Sequence, residues 1–274
     1  MFAMSATDKV FTGSIPEFYD TYLVPLIFES YAEDLATRIS DRRPGTVLEI
    51  AAGSGVVTRA LAKKLPEHGR YVVTDLNQSM LDYAEEKQGP DERITWKQAD
   101  ALELPFDDGS FDTVCCQFGI MFFPDRIAGY AEAKRVLSSG GAFVFSVWDR
   151  IENNEFAAAV TDAASEVFPD NPPLFLARTP HGHHDIGVIK DEVMEAGFTG
   201  VDVVTVTETS TAPSPRHPAI AYCQGTPLRN EIESRDPGLL DHVTEMAAQK
   251  IEELYGGGEV SAKIQGYVVI ATVD

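Results

Sequence analysis

The order of apolar and polar positions predicts alternating strands and helices in the first half of the chain. Short apolar runs, typical of strands, occupy residues 46–50, 71–74, 94–98, 111–118 and 142–148. Between them, apolar positions repeat every three or four residues, which predicts helices at 56–65, 79–87 and 125–137. Strands separated by helices of this length indicate a parallel sheet covered on both faces.

On either side of this segment the alternation is less regular. Helical spacing predicts a helix over 18–40, and a polar breaker follows it at 41–45. After residue 148, further helices are expected at 155–168, 191–196 and 219–254, and further strands at 201–207 and 266–273. We therefore expect one domain over residues 1–274, built from an N-terminal helical cap (1–45), a core (46–148) and two lid insertions (151–200 and 213–258).

The chain is acidic, and this limits its partners. It has 22 Lys and Arg residues against 43 Asp and Glu residues, a formal net charge of −21 at pH 7. Nucleic acids and anionic membranes bind clustered basic residues, and the sequence contains no such cluster. We expect no nucleic-acid partner. The charge is uneven, with 15 basic and 23 acidic residues in 1–150 but 7 and 20 in 151–274, so large polyanionic ligands are disfavoured.

Apolar runs and cysteines indicate a cytoplasmic protein. No run approaches the roughly 20 apolar residues of a membrane helix, and Met1–Val10 lacks the pattern of a secretory signal. Two of the three cysteines, Cys115 and Cys116, are adjacent in an apolar strand, and Cys223 is isolated. They are expected to be reduced core residues. No C-x-x-C pair is present, and no metal is expected.

The most informative segment is the run EIAAGSG at 49–55, which joins the first predicted strand to a helix. Glycines let the backbone adopt positive φ and approach a ligand closely, and a helix start offers unpaired N–H groups. Acidic residues also end three successive strands, namely Glu49, Asp75 and Asp100. An acid at the second strand can bind ribose hydroxyls, and one at the third can accept a hydrogen bond from an adenine amino group. This pattern predicts a nucleotide-like cofactor at the carboxyl ends of the strands.

Two other functions share parts of this pattern. A nicotinamide-dependent oxidoreductase usually carries G-x-G-x-x-G, but the third glycine position is Thr58. In addition, Glu49 would repel a pyrophosphate and suits a cofactor with a positively charged amino acid end. An NAD-dependent oxidoreductase stays an alternative, as does a non-catalytic protein that binds the cofactor for regulation.

Further motifs follow in a characteristic order: TDLN at 74–77 with Met80, QADA at 98–101, LPFDDGSFD at 104–112, QFG at 117–119 and VLSSGG at 136–141. Together they resemble the class I S-adenosylmethionine (SAM)-dependent methyltransferases of small molecules, in the group that contains the ubiquinone/menaquinone C-methyltransferases. The resemblance implies an α/β, Rossmann-like, seven-stranded mixed sheet. It would be mostly parallel with an antiparallel last strand, helices on both faces and a helical lid.

The resemblance also implies SAM as cofactor, held by residues of these motifs. Glu49 would hold the amino group, Asp75 the ribose, and Asp100 the adenine. The full set of implied cofactor contacts is Tyr19, Glu49, Ala51, Gly53, Ser54, Gly55, Asp75, Leu76, Met80, Asp100, Ala101, Gln117 and Phe118.

The acceptor is left open by these motifs. We expect a small or medium-sized neutral or aromatic molecule, methylated at oxygen, carbon or nitrogen. A base is needed only if the acceptor must lose a proton, and His183 and His184 are candidates, although their run HGHHD at 181–185 also suits a solvated or capping loop. Candidate acceptor contacts are Tyr22, Met121, Trp148, Tyr222 and Arg229. The expected assembly is a monomer or a homodimer.

Overall fold

The computed structural model describes the backbone of residues 15–274 and the side chains from residue 17 onward. The strands of this part of the chain form one seven-stranded sheet in the order β3-β2-β1-β4-β5-β7-β6. Their bounds are β1 Thr46–Glu49, β2 Arg70–Asp75, β3 Ile94–Gln98, β4 Phe111–Gln117, β5 Leu137–Trp148, β6 Gly200–Ala212 and β7 Val260–Thr272.

The sheet is mixed, as predicted. Strand β1 pairs in parallel with β2 and β4, β2 with β3, and β4 with β5. Strand β7 runs antiparallel to β5, because the backbone N–H of Gly140 donates to Val273 while that of Asp149 donates to Gln265. Rising residue numbers on β5 thus meet falling numbers on β7. The predicted fold class, a mostly parallel sheet with an antiparallel last strand and flanking helices, is confirmed.

Helices precede β1 and occupy most of the connections between strands. Residues Tyr19–Phe28, just after the first short helix, form a wide π-helix with Pro25 inside it. The α-helices are α1 Ile15–Phe18, α2 Glu29–Asp41, α3 Val56–Ala62, α4 Gln78–Gln88, α5 Arg126–Val136, α6 Glu155–Val167, α7 Phe175–Arg178, α8 Ile186–Glu195, α9 Arg216–Gln224, α10 Leu228–Arg235 and α11 Leu240–Tyr255. Within residues 15–274, no helix is long and apolar enough to cross a membrane.

Strand β5 begins earlier than its apolar pattern predicted. Phe111 on β4 pairs with Leu137, whereas Thr113 pairs with Ala142, so two steps on β4 correspond to five on β5. The extra residues form a bulge in which Gly140 has φ +76°. Gly140 and Gly141, which follow the helix predicted over 125–137, are therefore inside a strand and do not form the end of that helix.

One helical prediction had wrong bounds, and the structure divides another predicted region into separate helices. Helix α8 begins at Ile186, five residues before the predicted start, because the side chain of Asp185 accepts the N–H groups of Gly187 (2.8 Å) and Val188 (3.2 Å). The helical segments predicted over 219–254 are three helices, α9, α10 and α11. The breaks fall at Gly-Thr-Pro (225–227) and Asp-Pro (236–237), where proline prevents a continuous helix.

The described residues form two compact units. The core unit contains Glu29–Val147, His184–Val206 and Tyr267–Asp274, and the helical unit contains the described residues through Phe28, Trp148–His183 and Thr207–Gly266. Strands β6 and β7 contribute residues to both units. The predicted division into cap, core and two lid insertions stays a prediction.

Aromatic side chains make up much of the interior of the core unit. Phe143 and Phe145 on β5 are fully buried, with ring centroids 4.8 Å apart, and Tyr130 of α5 lies 5.4 Å from Phe145. Elsewhere in the unit, the ring of Tyr31 on α2 lies 5.1 Å from Phe118, and its hydroxyl donates to the Val206 carbonyl (3.0 Å). Burial of such side chains supplies most of the stabilisation of a fold of this size.

The helical unit is organised around Asp149, which directly follows β5 and is buried. One carboxylate oxygen accepts hydrogen bonds from the side-chain amides of Asn153 and Gln265, both at 2.6 Å. The other oxygen accepts the N–H of Arg150 (2.7 Å). A buried carboxylate with several donors is well satisfied, so Asp149 joins the start of the segment after β5 to β7.

We expect the Gly129→Ala variant to be less stable than the wild type. Alanine is normally the better helix former by about 1 kcal/mol. In α5, however, a Cβ at position 129 would lie 2.4 Å from Cδ2 of Phe123, and such overpacking costs about 1–3 kcal/mol. Urea unfolding should show this loss, and it should shrink in a Phe123→Leu background. A Gly129→Ala variant that is more stable than the wild type would contradict the packing described.

Candidate functional site

The loop between β1 and α3 adopts an unusual backbone conformation. Ala51, Gly53 and Gly55 have φ of +54°, +57° and +78°, a region that L side chains rarely adopt. A Cβ on Gly55 would also lie 2.9 Å from Cβ of Ala84 on α4. The glycine at 55 is thus required both for its backbone angle and for the close approach of α3 to α4.

Asp75, the last residue of β2, connects this loop to the next one. Its carboxylate accepts the N–H of Gly53 at 2.9 Å and the N–H of Asn77 at 2.8 Å. Burial raises the pKa of Asp75, and the hydrogen bonds from Asn77 and Gly53 oppose that shift. Since each carboxylate oxygen can accept more than one hydrogen bond, Asp75 can also bind hydroxyl groups of a ligand.

Glu49, the last residue of β1, is fully enclosed. Its Oε2 accepts hydrogen bonds from Thr58 Oγ1 (2.6 Å) and from the hydroxyl of Tyr71. Burial raises the pKa of Glu49 to about 7, an effect that the hydrogen bonds from Thr58 and Tyr71 reduce. The Glu49 carboxyl therefore changes its charge close to neutral pH.

Thr58 and Tyr71 were not assigned to the site from the sequence. Thr58 was considered only as the residue that replaces a third glycine, and Tyr71 reads as an ordinary apolar residue of β2. Glu49 and Thr58 lie nine positions apart, with most of the intervening residues in the loop between β1 and α3, and this spacing does not by itself indicate a contact. Only the pairing of β1 with β2 brings Tyr71 next to Glu49.

Ser54 lies in the glycine loop just before α3, and its backbone carbonyl is bound by Arg59. The guanidinium of Arg59 donates to the Ser54 carbonyl at 2.6 Å, which holds the loop against the helix. The Ser54 hydroxyl is buried and has no hydrogen-bond partner among the residues that the structure describes. An unsatisfied buried hydroxyl costs about 1–3 kcal/mol, so its place in this loop is consistent with a polar ligand group as partner.

Residues at the ends of β2 and β3 complete this edge of the core unit. Leu76 is 48% exposed, which is unusual for a large apolar side chain, and Met80 is buried with its methyl group 3.9 Å from the Cβ position of Gly53. Asp100 is exposed, and its Oδ1 accepts the N–H of Leu102 at 2.9 Å. Ala101, beside it, is half-buried.

The segment after β4 packs directly on the glycine loop. A Cβ on Gly119 would lie 2.7 Å from Cβ of Ala51. Phe118 has φ +51°, and its N–H donates to the Ser146 carbonyl on β5 at 3.0 Å. Gln117, in register with Ser146, is the last residue of β4, and Met121 is buried in the short helix Ile120–Phe122.

In the helical unit, two of the residues predicted from the sequence, Tyr19 and Trp148, belong to a row of neighbouring rings. The ring centroid of Tyr19 lies 5.3 Å from that of Phe28, which lies 6.0 Å from Trp148. Trp148 in turn lies 6.0 Å from His181, whose Nδ1 donates to the Asp149 carbonyl at 2.8 Å. Sequence reasoning singled out the neighbouring histidines and did not identify His181 as part of this row.

The remaining predicted residues have contacts of an ordinary structural kind. The ring of Tyr22 lies 5.0 Å from that of His217, Tyr222 is buried, and Arg229 forms an ion pair with Glu233 at 2.9 Å. His183 is buried and His184 is half-buried. These contacts assign no role in catalysis or acceptor binding, and the roles proposed from the sequence stay predictions.

Comparison with known proteins identifies the family. A model of the ubiE/COQ5 methyltransferase family matches residues 8–208. Among curated relatives, the ubiquinone/menaquinone biosynthesis C-methyltransferase UbiE of Shewanella sp. (strain W3-18-1) is 30% identical over 184 residues, which are 62% of this chain and 73% of the relative. UbiE of Escherichia coli O1:K1 is 29% identical over 178 residues, 61% of this chain and 71% of that protein.

Solved structures share the fold. The YcgJ protein of Bacillus subtilis has a TM-score of 0.57 at 16% identity, covering 89% of this chain and 99% of that protein. A SAM-dependent methyltransferase of Thermotoga maritima has a TM-score of 0.53 at 16% identity, covering 95% and 97%. The family match and the fold agree, and the chain therefore belongs to the ubiE/COQ5 methyltransferase family and is a SAM-dependent methyltransferase.

Proposed function

We propose that the loops after β1, β2 and β3 hold SAM, and that the methyl group goes to a small or medium-sized neutral or aromatic acceptor. The observation that carries this proposal is the carboxylate of Asp75. It is fixed by Gly53 N and Asn77 N beside a left-handed glycine loop. A fixed carboxylate at this position suits the two hydroxyls of a ribose.

The neighbouring residues suit the other parts of the same molecule. Glu49, when ionised, suits an ammonium group. The buried hydroxyl of Ser54, for which residues 17–274 supply no hydrogen-bond partner, suits the polar amino acid end. The exposed side chain of Leu76 offers an apolar surface for adenine, with Met80 beside it. Asp100 and Ala101 would meet the edge of the base, and Gln117 and Phe118 the methionine part.

The chemistry that SAM supplies is a methyl group already activated on a sulfonium. The protein's contribution is to bind, to orient and to exclude water. The two acidic side chains, Glu49 and Asp75, give this edge of the core unit a negative potential that favours a cationic ligand. A general base is needed only where the acceptor must lose a proton, as a phenol does, and His183 and His184 stay candidates for that role.

The acceptor class follows from charge and from the relatives. Residues 151–274 contain 7 basic and 20 acidic residues, which disfavours a polyanionic acceptor. The relatives are named for C-methylation in ubiquinone and menaquinone biosynthesis, which favours an aromatic or quinone-like acceptor here. An assay of S-adenosylhomocysteine formation with phenols, quinols, amines and carboxylates tests this. Turnover only with the amines or carboxylates would contradict the aromatic class.

We expect Asp75→Asn to weaken cofactor binding at least tenfold. The amide presents a donor where the carboxylate accepts, and a tenfold loss corresponds to about 1.4 kcal/mol. Calorimetric titration with S-adenosylhomocysteine measures the change. Asp82→Asn on α4, an exposed carboxylate that accepts a hydrogen bond from Gln78, is the matched control and should bind normally. Equal affinity of the two variants for S-adenosylhomocysteine would contradict the proposed contact of Asp75 with the ribose.

Cofactor affinity should rise between pH 5.5 and pH 7.5. Glu49, with its pKa raised to about 7, is mostly neutral at the lower pH and mostly ionised at the higher one, and only the ionised form attracts an ammonium. We expect an increase of about tenfold or more in S-adenosylhomocysteine affinity. Glu49→Gln should remove this dependence, whereas Glu86→Gln, exposed on α4, should retain it. A flat profile for the wild type would contradict the role of Glu49.

A further inference from the structure

We propose that Arg135 and Glu132, on the last turns of α5, are positioning residues that hold the loop after β3 and thereby determine the preference for adenine. The inference rests on the proposed function, because it concerns the part of the loop expected to meet the base. Neither residue is expected to touch the cofactor. Both act through the loop of residues 99–110.

Arg135 binds this loop at several points. Its Nη2 donates to the Leu104 carbonyl, and its Nη1 donates to the Phe106 carbonyl and to Asp108 Oδ1, all at 2.8 Å. The backbone carbonyl of Arg135 accepts the N–H of Gly109 at 3.0 Å. One residue of α5 thus fixes four residues of the loop.

Glu132 completes the arrangement. Its Oε2 accepts the N–H of Leu104 at 2.8 Å, so both backbone groups of this buried residue are bound by α5. The carboxylate also accepts Arg135 Nε at 2.7 Å and Nη2 at 2.9 Å. The guanidinium lowers the pKa of Glu132, which keeps the pair charged, and a planar two-point contact of this kind fixes orientation as well as distance.

The other end of the loop is held by β2. The N–H of Ala99 donates to the Asp75 carbonyl at 3.1 Å. Residues 100–103 therefore span two fixed points, Ala99 and Leu104. Within this short span the N–H of Glu103 donates to the Asp100 carbonyl (3.1 Å) and that of Leu102 to the Asp100 side chain (2.9 Å). The direction of the Asp100 carboxylate consequently depends on where α5 places Leu104.

Arginine suits this task better than lysine. Five N–H donors in one plane reach two carbonyls and two carboxylates at once, whereas the ammonium of lysine has three donors and no fixed plane. Arg126, on the first turn of α5, gives a matched comparison. It binds Glu192 of α8 at 2.9 and 2.6 Å, so it makes the same kind of ion pair with a partner outside the loop.

The test compares two ligands in calorimetric titrations of the full chain. One is S-adenosylhomocysteine. The other is S-inosylhomocysteine, in which a carbonyl replaces the amino group whose hydrogen bond Asp100 would accept. We expect the wild type to prefer the adenine ligand at least tenfold. A site that accepts a hydrogen bond from a ligand's amino group binds poorly an analogue that lacks this donor. Compared with the wild type, Arg135→Met should bind the adenine ligand about tenfold more weakly and should bind the hypoxanthine ligand with unchanged affinity.

Controls separate positioning from general destabilisation. Arg126→Met should lower the melting temperature as much as Arg135→Met does but should keep the preference for adenine. Arg135→Lys should retain part of that preference. If Arg135→Met or Arg135→Lys keeps the full preference, or if Arg126→Met loses it too, the inference is wrong. A wild type that binds neither ligand would instead overturn the proposed function itself.

Discussion

A single residue, Asp75, links three loops at the carboxyl edge of the sheet. Its carboxylate holds Gly53 in the loop after β1 and Asn77 in the loop after β2, while its backbone carbonyl accepts the N–H of Ala99 at the end of β3. Parallel strands place their carboxyl ends side by side but do not by themselves fix the loops that follow. Here one acidic residue supplies that constraint, and the glycine loop, the apolar surface at Leu76 and the loop of Asp100 are all positioned from it.

The same edge carries an electrostatic cost. Glu49 and Asp75 are both buried, the charge of Asp75 contributes to the raised pKa of Glu49, and that of Arg59 lowers it. Two buried carboxyls of this kind are stable when hydrogen bonds compensate their burial, as those from Thr58, Tyr71 and the backbone do. A cationic ligand relieves the remaining repulsion. The proposed preference for a cationic ligand therefore rests on how the two acids are buried.

The alternation of strands and helices in the sequence predicts where the candidate site residues lie in the fold. Asp75 ends β2, while Gly53 and Asp100 lie in the loops that follow β1 and β3, and a parallel arrangement brings these positions to one edge of the sheet. Tyr71, Thr58 and Arg135 act across the fold, and their spacing in the sequence carries no periodic signal. The bulge in β5 was missed for a related reason, since Gly140 and Gly141 suit the end of a helix as well as an irregular strand. The predicted fold class and strand positions were therefore largely right, whereas the contacts that orient the candidate site residues needed the three-dimensional structure.

The contact between Gly119 and Ala51 has a consequence for altering this enzyme. With a Cβ at 119 only 2.7 Å from that of Ala51, any side chain introduced there would displace the glycine loop. The segment after β4 and the loop after β1 are thus not independent modules. If the glycine loop holds the cofactor as proposed, a library of variants at 119 changes cofactor binding whatever its intended target. A search for altered acceptor specificity would therefore have to vary 119 together with Ala51, because the two positions share one space.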